Sequence, residues 1–347
     1  MRTQPKRTAN WRWGLAVFSL LVVWVVFPFG DEFDADYVER PRPTGVAVTE
    51  ADYLEVYHKQ MELCGKLCEP DATPPSLPIR PTLEYLQSAY VETDLVCRRL
   101  FSKKASALFD GKPLEWPPPQ ELPMQDKFLL PGVKLGRWFK VQQYQDTHVA
   151  EWSREFITQQ VEMAANGTLH GTYGIGVVQE MRAMLQQQAV QGKRVLVVGT
   201  EKPWLEAVLL SLDAASVTTL EYGTIISAHP ALHTMTPGEM NQLYMTNRLD
   251  KFDLAVTYSS LEHSGLGRYG DRLSPWGDVV WTAKLSCIVK QGGMLVIGLP
   301  TADEDEILYN AQRNYARKRW PLVLQNWRTV GMELIGDAAV VIARSRL

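Results

Sequence analysis

The chain has 347 residues, 46% hydrophobic and 22% charged, with a formal net charge of -3. These proportions argue against a wholly disordered chain and a polytopic membrane protein. Without a basic excess, no nucleic-acid partner is expected. Four cysteines are too few for a disulfide-built scaffold.

Fifteen of the 21 prolines fall at or before Pro131, so the front third is built differently from the rest. Arg2, Lys6, Arg7 and Arg12 make residues 1–12 a basic tail. The apolar, uncharged run from Trp13 to Phe29 follows; at ~1.5 Å per residue it spans roughly 25 Å, enough for a thin bilayer. Asp31, Glu32, Asp34 and Asp36 lie beyond it, so the positive-inside rule puts the N-terminus in the cytosol. Phe27, Pro28 and Phe29 stand where a cleaved signal peptide would carry small residues. An uncleaved signal anchor over residues 13–29 is therefore expected, with a cleaved leader and a buried core helix as rival readings. The anchor implies a single-pass type II membrane protein of the secretory pathway (ER or Golgi), with a stem over residues 30–50 and a lumen-facing body. Asn166 heads the one Asn-x-Ser/Thr sequon and is the candidate glycosylation site. Cys64, Cys68 and Cys97 could pair in such a compartment, and Cys287 reads as a core thiol. No metal-type cluster accompanies them, and no metal site is expected.

Residues 51–192 read as a helical and proline-rich extension. Helical patterning covers residues 51–68 and 82–108, and the run Lys112 to Pro123 is too rich in proline for a helix or central strand. EWSREFITQQVEMAANG and VVQEMRAMLQQQAV read as two further helices. The glycine cluster between them lacks the strand and Lys-Ser/Thr of a phosphate loop and reads as a turned surface loop.

From Lys193 short apolar strands alternate with helices. Strands are expected at Val195–Val198, Val217–Leu220, Phe252–Thr257 and Met294–Gly298, and helices at Trp204–Leu212, from Thr236, and at Trp276–Val289. A capping box at Thr301–Glu304 predicts another helix ending at Arg317-Lys318-Arg319, and MELIG with AAVVIARS predicts an antiparallel pair. The expected fold for residues 193–347 is α/β, a doubly wound, mostly parallel sheet with a C-terminal antiparallel hairpin. Ligands in such sheets bind beyond the carboxyl ends of the strands, near the switch point.

The segments RVLVVGTEKPWLEAVLL, TTLEYG, FDLAVTYSSLEHSG and GGMLVIGLPT resemble, in that order, class I S-adenosylmethionine-dependent methyltransferases. SSLEHSGLGRYGD and PWGD also resemble the family of domain of unknown function 268. The first resemblance implies S-adenosylmethionine as cofactor, with Gly199 and Thr200 in the loop beside its methionine portion. It implies Glu221 on the ribose hydroxyls, Tyr222 beside the adenine, and Tyr258 and Ser259 on the methyl-donor side. The loop Gly199-Thr200-Glu201-Lys202-Pro203 departs from the family's glycine-rich pattern in keeping one glycine.

His263, with Glu262 beside it just past the fourth strand, is the candidate base for a hydroxyl acceptor; both could equally hold the loop. Asp271, Arg272 and Asp278 could bind a polar acceptor with Trp276 as a stacking face, or be solvated loop residues. His229 and His233 are interrupted by Pro230, which argues against a metal pair on a helix. Asp303-x-Asp305 resembles the metal-binding acids of glycosyltransferases, but acids also suit a helix start. Three readings stand: a methyltransferase-like enzyme acting on a small-molecule or glycan hydroxyl, a glycosyltransferase of type II topology, and a catalytically silent Rossmann-like binding module.

Overall fold

The apolar runs become one seven-stranded sheet: β1 (Arg194–Val198), β2 (Ser216–Leu220), β3 (Leu232–Met235), β4 (Phe252–Tyr258), β5 (Val289–Pro300), β6 (Trp327–Ile335) and β7 (Ala338–Ser345). The computed structural model describes residues 47–69, 80–136, 149–200 and 202–347. The strand order is β3-β2-β1-β4-β5-β7-β6. The first five positions are parallel, and β7 runs antiparallel to both β5 and β6. This is the expected parallel-rich sheet closed by a hairpin. The chain winds outward from β1 to β3 and then returns to β4 beside β1, so the switch point lies between β1 and β4.

Both faces of the sheet are covered, which is why its strands are continuous apolar runs. Successive side chains point to opposite faces. Val195, Val197, Leu254, Val256, Val340 and Ile342 pack with Ile157, Met181, Leu185 and Val208. Those four belong to α2 (Arg154–Ala165), α3 (Ile175–Gln187) and α4 (Trp204–Ser211), preceded in the chain by α1 (Glu50–Cys64). Leu196, Val198, Leu295, Ile297 and Val341 face the other way and join Val56 and Leu63 of α1. Met240 of α5 (Pro237–Met245) and Val280 of α6 (Gly277–Ile288) complete that layer. Ser153 caps α2 through the Phe156 amide, and Thr236 with Glu239 forms the capping box of α5.

All twelve residues of α6 are buried, because the front of the chain covers the side that the sheet does not. Its one lysine is paired: Lys284 Nζ donates to Asp110 Oδ2 at 2.6 Å. A disulfide between Cys97 and Cys287 fastens the front segment to α6, and a second joins Cys64 to Cys68. Cys287 is thus a disulfide partner and not the expected core thiol.

Two helical expectations are corrected. Residues 82–108 break into Leu83–Ser88, Cys97–Leu100 and Lys103–Ala105, the last continued by a π-helical turn over Ser106–Asp110. The intervening chain is pinned in extended form, with Asn326 donating to Val91 O and Thr93 donating to Gln325 Oε1. The stretch after Thr301 forms strands Glu306–Leu308 and Gln312–Asn314 instead of a helix, and only Arg319–Val323 is helical. The reason is Asp305, whose carboxylate accepts from the amides of Ala316, Lys318 and Arg319 and folds the chain back on itself.

The single-pass type II placement is also corrected. Among the described residues no helix is long and apolar enough to cross a membrane. The run Trp13 to Phe29 on which that expectation was built lies outside the described residues, as does the stem to residue 46. The secretory localisation is withdrawn with it. Asn166 is exposed at the C-terminal end of α2, and nothing else in the fold marks it as a glycan site.

Candidate functional site

A cavity of about 430 Å³ opens at the carboxyl ends of the parallel strands. Its wall takes Val198, Gly199 and Thr200 from the end of β1, Glu221 and Tyr222 from that of β2, Tyr258 and Ser259 from that of β4, and Pro300 from β5. It therefore straddles the switch point, where this fold class holds ligands. All six positions expected to meet a cofactor line this one cavity.

Glu221 is fixed at the wall by backbone amides. The Thr200 N–H donates to its Oε2 at 2.9 Å and the Tyr222 N–H to its Oε1 at 2.7 Å. The β1 loop and the β2 end are thereby coupled through one carboxylate. Gly199 has φ of 72°, and a Cβ there would collide with the side chain of Ser260. The one retained glycine thus lets the β4 loop press against the β1 loop.

Aromatic rings close both ends. On the β2 side, Tyr222 and Trp281 of α6 meet edge to face at 6.1 Å, and Trp281 Nε1 donates to the Tyr222 hydroxyl at 3.1 Å. On the β4 side, Tyr173 and Trp204 pack against Tyr258 at 5.0 and 5.7 Å. Tyr173 comes from the glycine cluster read as a surface loop; its hydroxyl donates to the Ser259 carbonyl at 3.3 Å. Trp204 lies against the wall and is 4% exposed, and the cavity remains open beside it.

Ser259 follows β4 directly and adopts φ of 48°, a left-handed conformation rare for a residue with a side chain. Its hydroxyl donates to Glu262 Oε1 at 2.6 Å. Glu262 is fully buried and does not line the cavity; Ser259 does. Burial pushes the Glu262 carboxyl up to about 7, against the hydrogen bond from Ser259, which favours the charged form. His263 behaves in the opposite sense. Burial, with the Arg268 guanidinium nearby, pushes it down to about 3. Its Nδ1 lies 2.6 Å from the Ala311 carbonyl, which can only accept, so we assign the proton to Nδ1. Nε2 lies 3.5 Å from Glu262 Oε1. A neutral imidazole with so low a proton affinity is a poor base, and Glu262 is the better one.

Asp271 reaches the cavity wall, but its carboxylate accepts from the amides of Gly265, Gly267 and Tyr269 and so orders its own loop. Burial raises its pKa despite those amides. Arg272, Trp276 and Asp278, expected as acceptor contacts, are instead buried. Arg272 Nε donates to the Lys112 carbonyl at 2.9 Å. Asp278 accepts from Arg319 and from the Tyr315 hydroxyl. Burial alone would raise its pKa, but Arg313 and Arg319 hold it below the usual carboxylate range. Arg313 also donates to the carbonyls of Glu262, Ser264 and Ser274, which ties the loop after β4 to this buried charge cluster.

The acids Asp303 and Asp305 are structural. Asp303 pairs with Arg80 at the surface, and Asp305 receives the three amides already described. Among the described residues no group of three or more His, Cys, Asp or Glu could hold a metal ion.

Tyr173, Trp204, Arg268, Tyr269, Trp281 and Asp337 line the cavity without having been expected there. They come from loops and helices far apart in sequence. The one available signal was position, since Arg268 and Tyr269 follow β4 and Trp204 follows the β1 loop.

Residues 192–335 match the model of the family described as Caenorhabditis protein of unknown function, DUF268. No curated protein matches the chain. Among solved structures, it is similar to the 1,6-didemethyltoxoflavin-N1-methyltransferase of Burkholderia thailandensis, solved with S-adenosylhomocysteine. The identity is 13%, over 55% of this chain and 87% of that one, with a TM-score of 0.35. It is also similar to a Streptococcus thermophilus protein described as a hemolysin, at 12% identity over 51% and 68% of the two chains and a TM-score of 0.36. A third is the T. Thermophilus 16S rRNA N2 G1207 methyltransferase with AdoMet and guanosine, at 15% identity over 49% and 43%, TM-score 0.31.

Proposed function

We propose that this chain, matched to DUF268 over residues 192–335, is a methyltransferase-like protein that binds S-adenosylmethionine and serves a small hydroxyl acceptor. The observation that carries the reading is Glu221, held by two backbone amides at the wall of a switch-point cavity. A carboxylate so placed suits the hydroxyls of a ribose, the partner that an acid at the end of the second strand takes in nucleotide-binding sheets. The rest of the donor set fits the same molecule. Tyr222 and Trp281 offer an aromatic wall for a base, and about 430 Å³ lies within the range of small-molecule sites.

In this reading Glu221 holds the sugar, Gly199 and Thr200 keep the β1 loop close, and the rings of Tyr173, Trp204 and Tyr258 exclude water on the other side. S-adenosylmethionine supplies an electrophilic methyl group when bound. The residues at the end of β4 orient the acceptor and take up its proton. The glycosyltransferase reading loses its acids, since Asp303 and Asp305 are engaged in structure.

Calorimetric titration of the full chain with S-adenosylmethionine and S-adenosylhomocysteine tests the proposal. Both are expected to bind, and Glu221→Ala is expected to weaken both by about tenfold or more, the scale of a lost charged hydrogen bond. No binding of either at millimolar concentration would overturn it.

A further inference from the structure

We propose that Ser259 and Glu262 form a two-residue proton path, in which Ser259 meets the acceptor hydroxyl and Glu262 stores the proton behind it. The inference rests on the methyltransferase reading of the cavity and assigns its base. Three observations carry it. Ser259 lines the cavity, whereas Glu262 is 0% exposed and stands behind it. The two are joined by a hydrogen bond of 2.6 Å. Glu262 Oε2 is buried without a hydrogen-bond partner, so this carboxyl is not consumed in holding the loop as Asp271 is. The strained φ of 48° at Ser259 is what turns its hydroxyl back onto Glu262 three residues later.

The acceptor O–H proton passes to Ser259 Oγ while the Ser259 proton passes to Glu262 Oε1. The acceptor oxygen bonds to the methyl carbon of the sulfonium donor, and the carbon–sulfur bond breaks with its electron pair on sulfur. Ser259 ends unchanged, Glu262 ends as a neutral acid, and the stored proton later leaves by the reverse path. His263 reaches the cavity wall, but burial and the Arg268 guanidinium depress its proton affinity, so it does not compete. The charged and titratable groups facing Glu262 are His263, Arg268, Arg313 and Asp337, with the Tyr173, Tyr258, Tyr269 and Tyr315 hydroxyls further off.

The path makes a prediction that needs no acceptor. A cationic sulfonium on the Ser259 side favours the ionised form of Glu262, whereas a neutral thioether does not. Proton release on binding can be measured by calorimetry in two buffers of different ionisation enthalpy between pH 6 and 8. S-adenosylmethionine is expected to release more protons than S-adenosylhomocysteine near pH 7, up to about half a proton per site, since Glu262 is about half protonated there. Glu262→Gln removes that difference. Ser259→Ala moves its midpoint to higher pH, because the donor to the carboxylate is gone. Equal proton release by the two ligands in the unmodified chain overturns the path while leaving the cofactor reading standing. The same holds if the difference persists in Glu262→Gln. Failure of both ligands to bind overturns the cofactor reading, and the path with it.

Discussion

Glu262 and Glu206 hold protons that exposed carboxyls would have lost. Burial pushes both from the usual 4.5 up to about 7. Between those values the native chain binds more protons than the unfolded one, so stability falls as pH rises from about 4.5 to about 7. Each site contributes on the order of 3 kcal/mol to that slope. Denaturant unfolding across this window should show the decline, and Glu206→Gln should flatten part of it. Asp278 works in the other direction. Its depressed pKa stabilises the fold above the unfolded carboxylate value, and that stability is lost as pH falls through the lower folded value. Asp278→Asn leaves Arg313 and Arg319 without their buried counter-charge and should cost about 3–5 kcal/mol in the same measurement. Gly199→Ala should destabilise by about 1–3 kcal/mol, since it strains a positive φ and meets Ser260. Ser260→Gly should recover part of that loss in a double-mutant cycle, as the two sites share one collision. Glu221 and Glu262 were legible in the sequence because each follows a recognisable strand. The low proton affinity of His263 was not, because it comes from burial and from the Arg268 guanidinium beside it in the folded loop.

Among the elements, those with strong apolar periodicity were the legible ones. β1, β2 and β4 fall within a residue or two of their expected bounds, since a strand covered on both faces has to be apolar throughout. The failures at residues 82–108 and 301–319 share a cause. Single side chains, Asn326 in one case and Asp305 in the other, satisfy backbone groups across the fold and override a local helical pattern. The same blindness hid the partner of Cys287. The Cys97–Cys287 bond closes a sequence separation of 190 residues. Cys97→Ser should therefore lower unfolding stability by about 2–5 kcal/mol. Loss of the Cys64–Cys68 bond, which spans four residues, should cost much less.

At the scale of the whole molecule, the front of the chain is a covering layer. α1 and the segments around Cys97 bury the outer side of α6, and α6 in turn presents Trp281 to the cavity. The loop after α2 brings Tyr173 to the opposite wall. The site is thus assembled from parts that a linear reading assigns to an extension and to a sheet domain. In the proposed reading a nucleoside-bearing sulfonium ligand lies across the switch point between Glu221 and Ser259. A crystal structure of the full chain grown with S-adenosylhomocysteine tests it most directly. The ribose hydroxyls are expected on the Glu221 carboxylate, the base against Tyr222 and Trp281, and the sulfur on the Ser259 side. A ligand bound elsewhere, or a cavity left empty at saturating ligand, would contradict it.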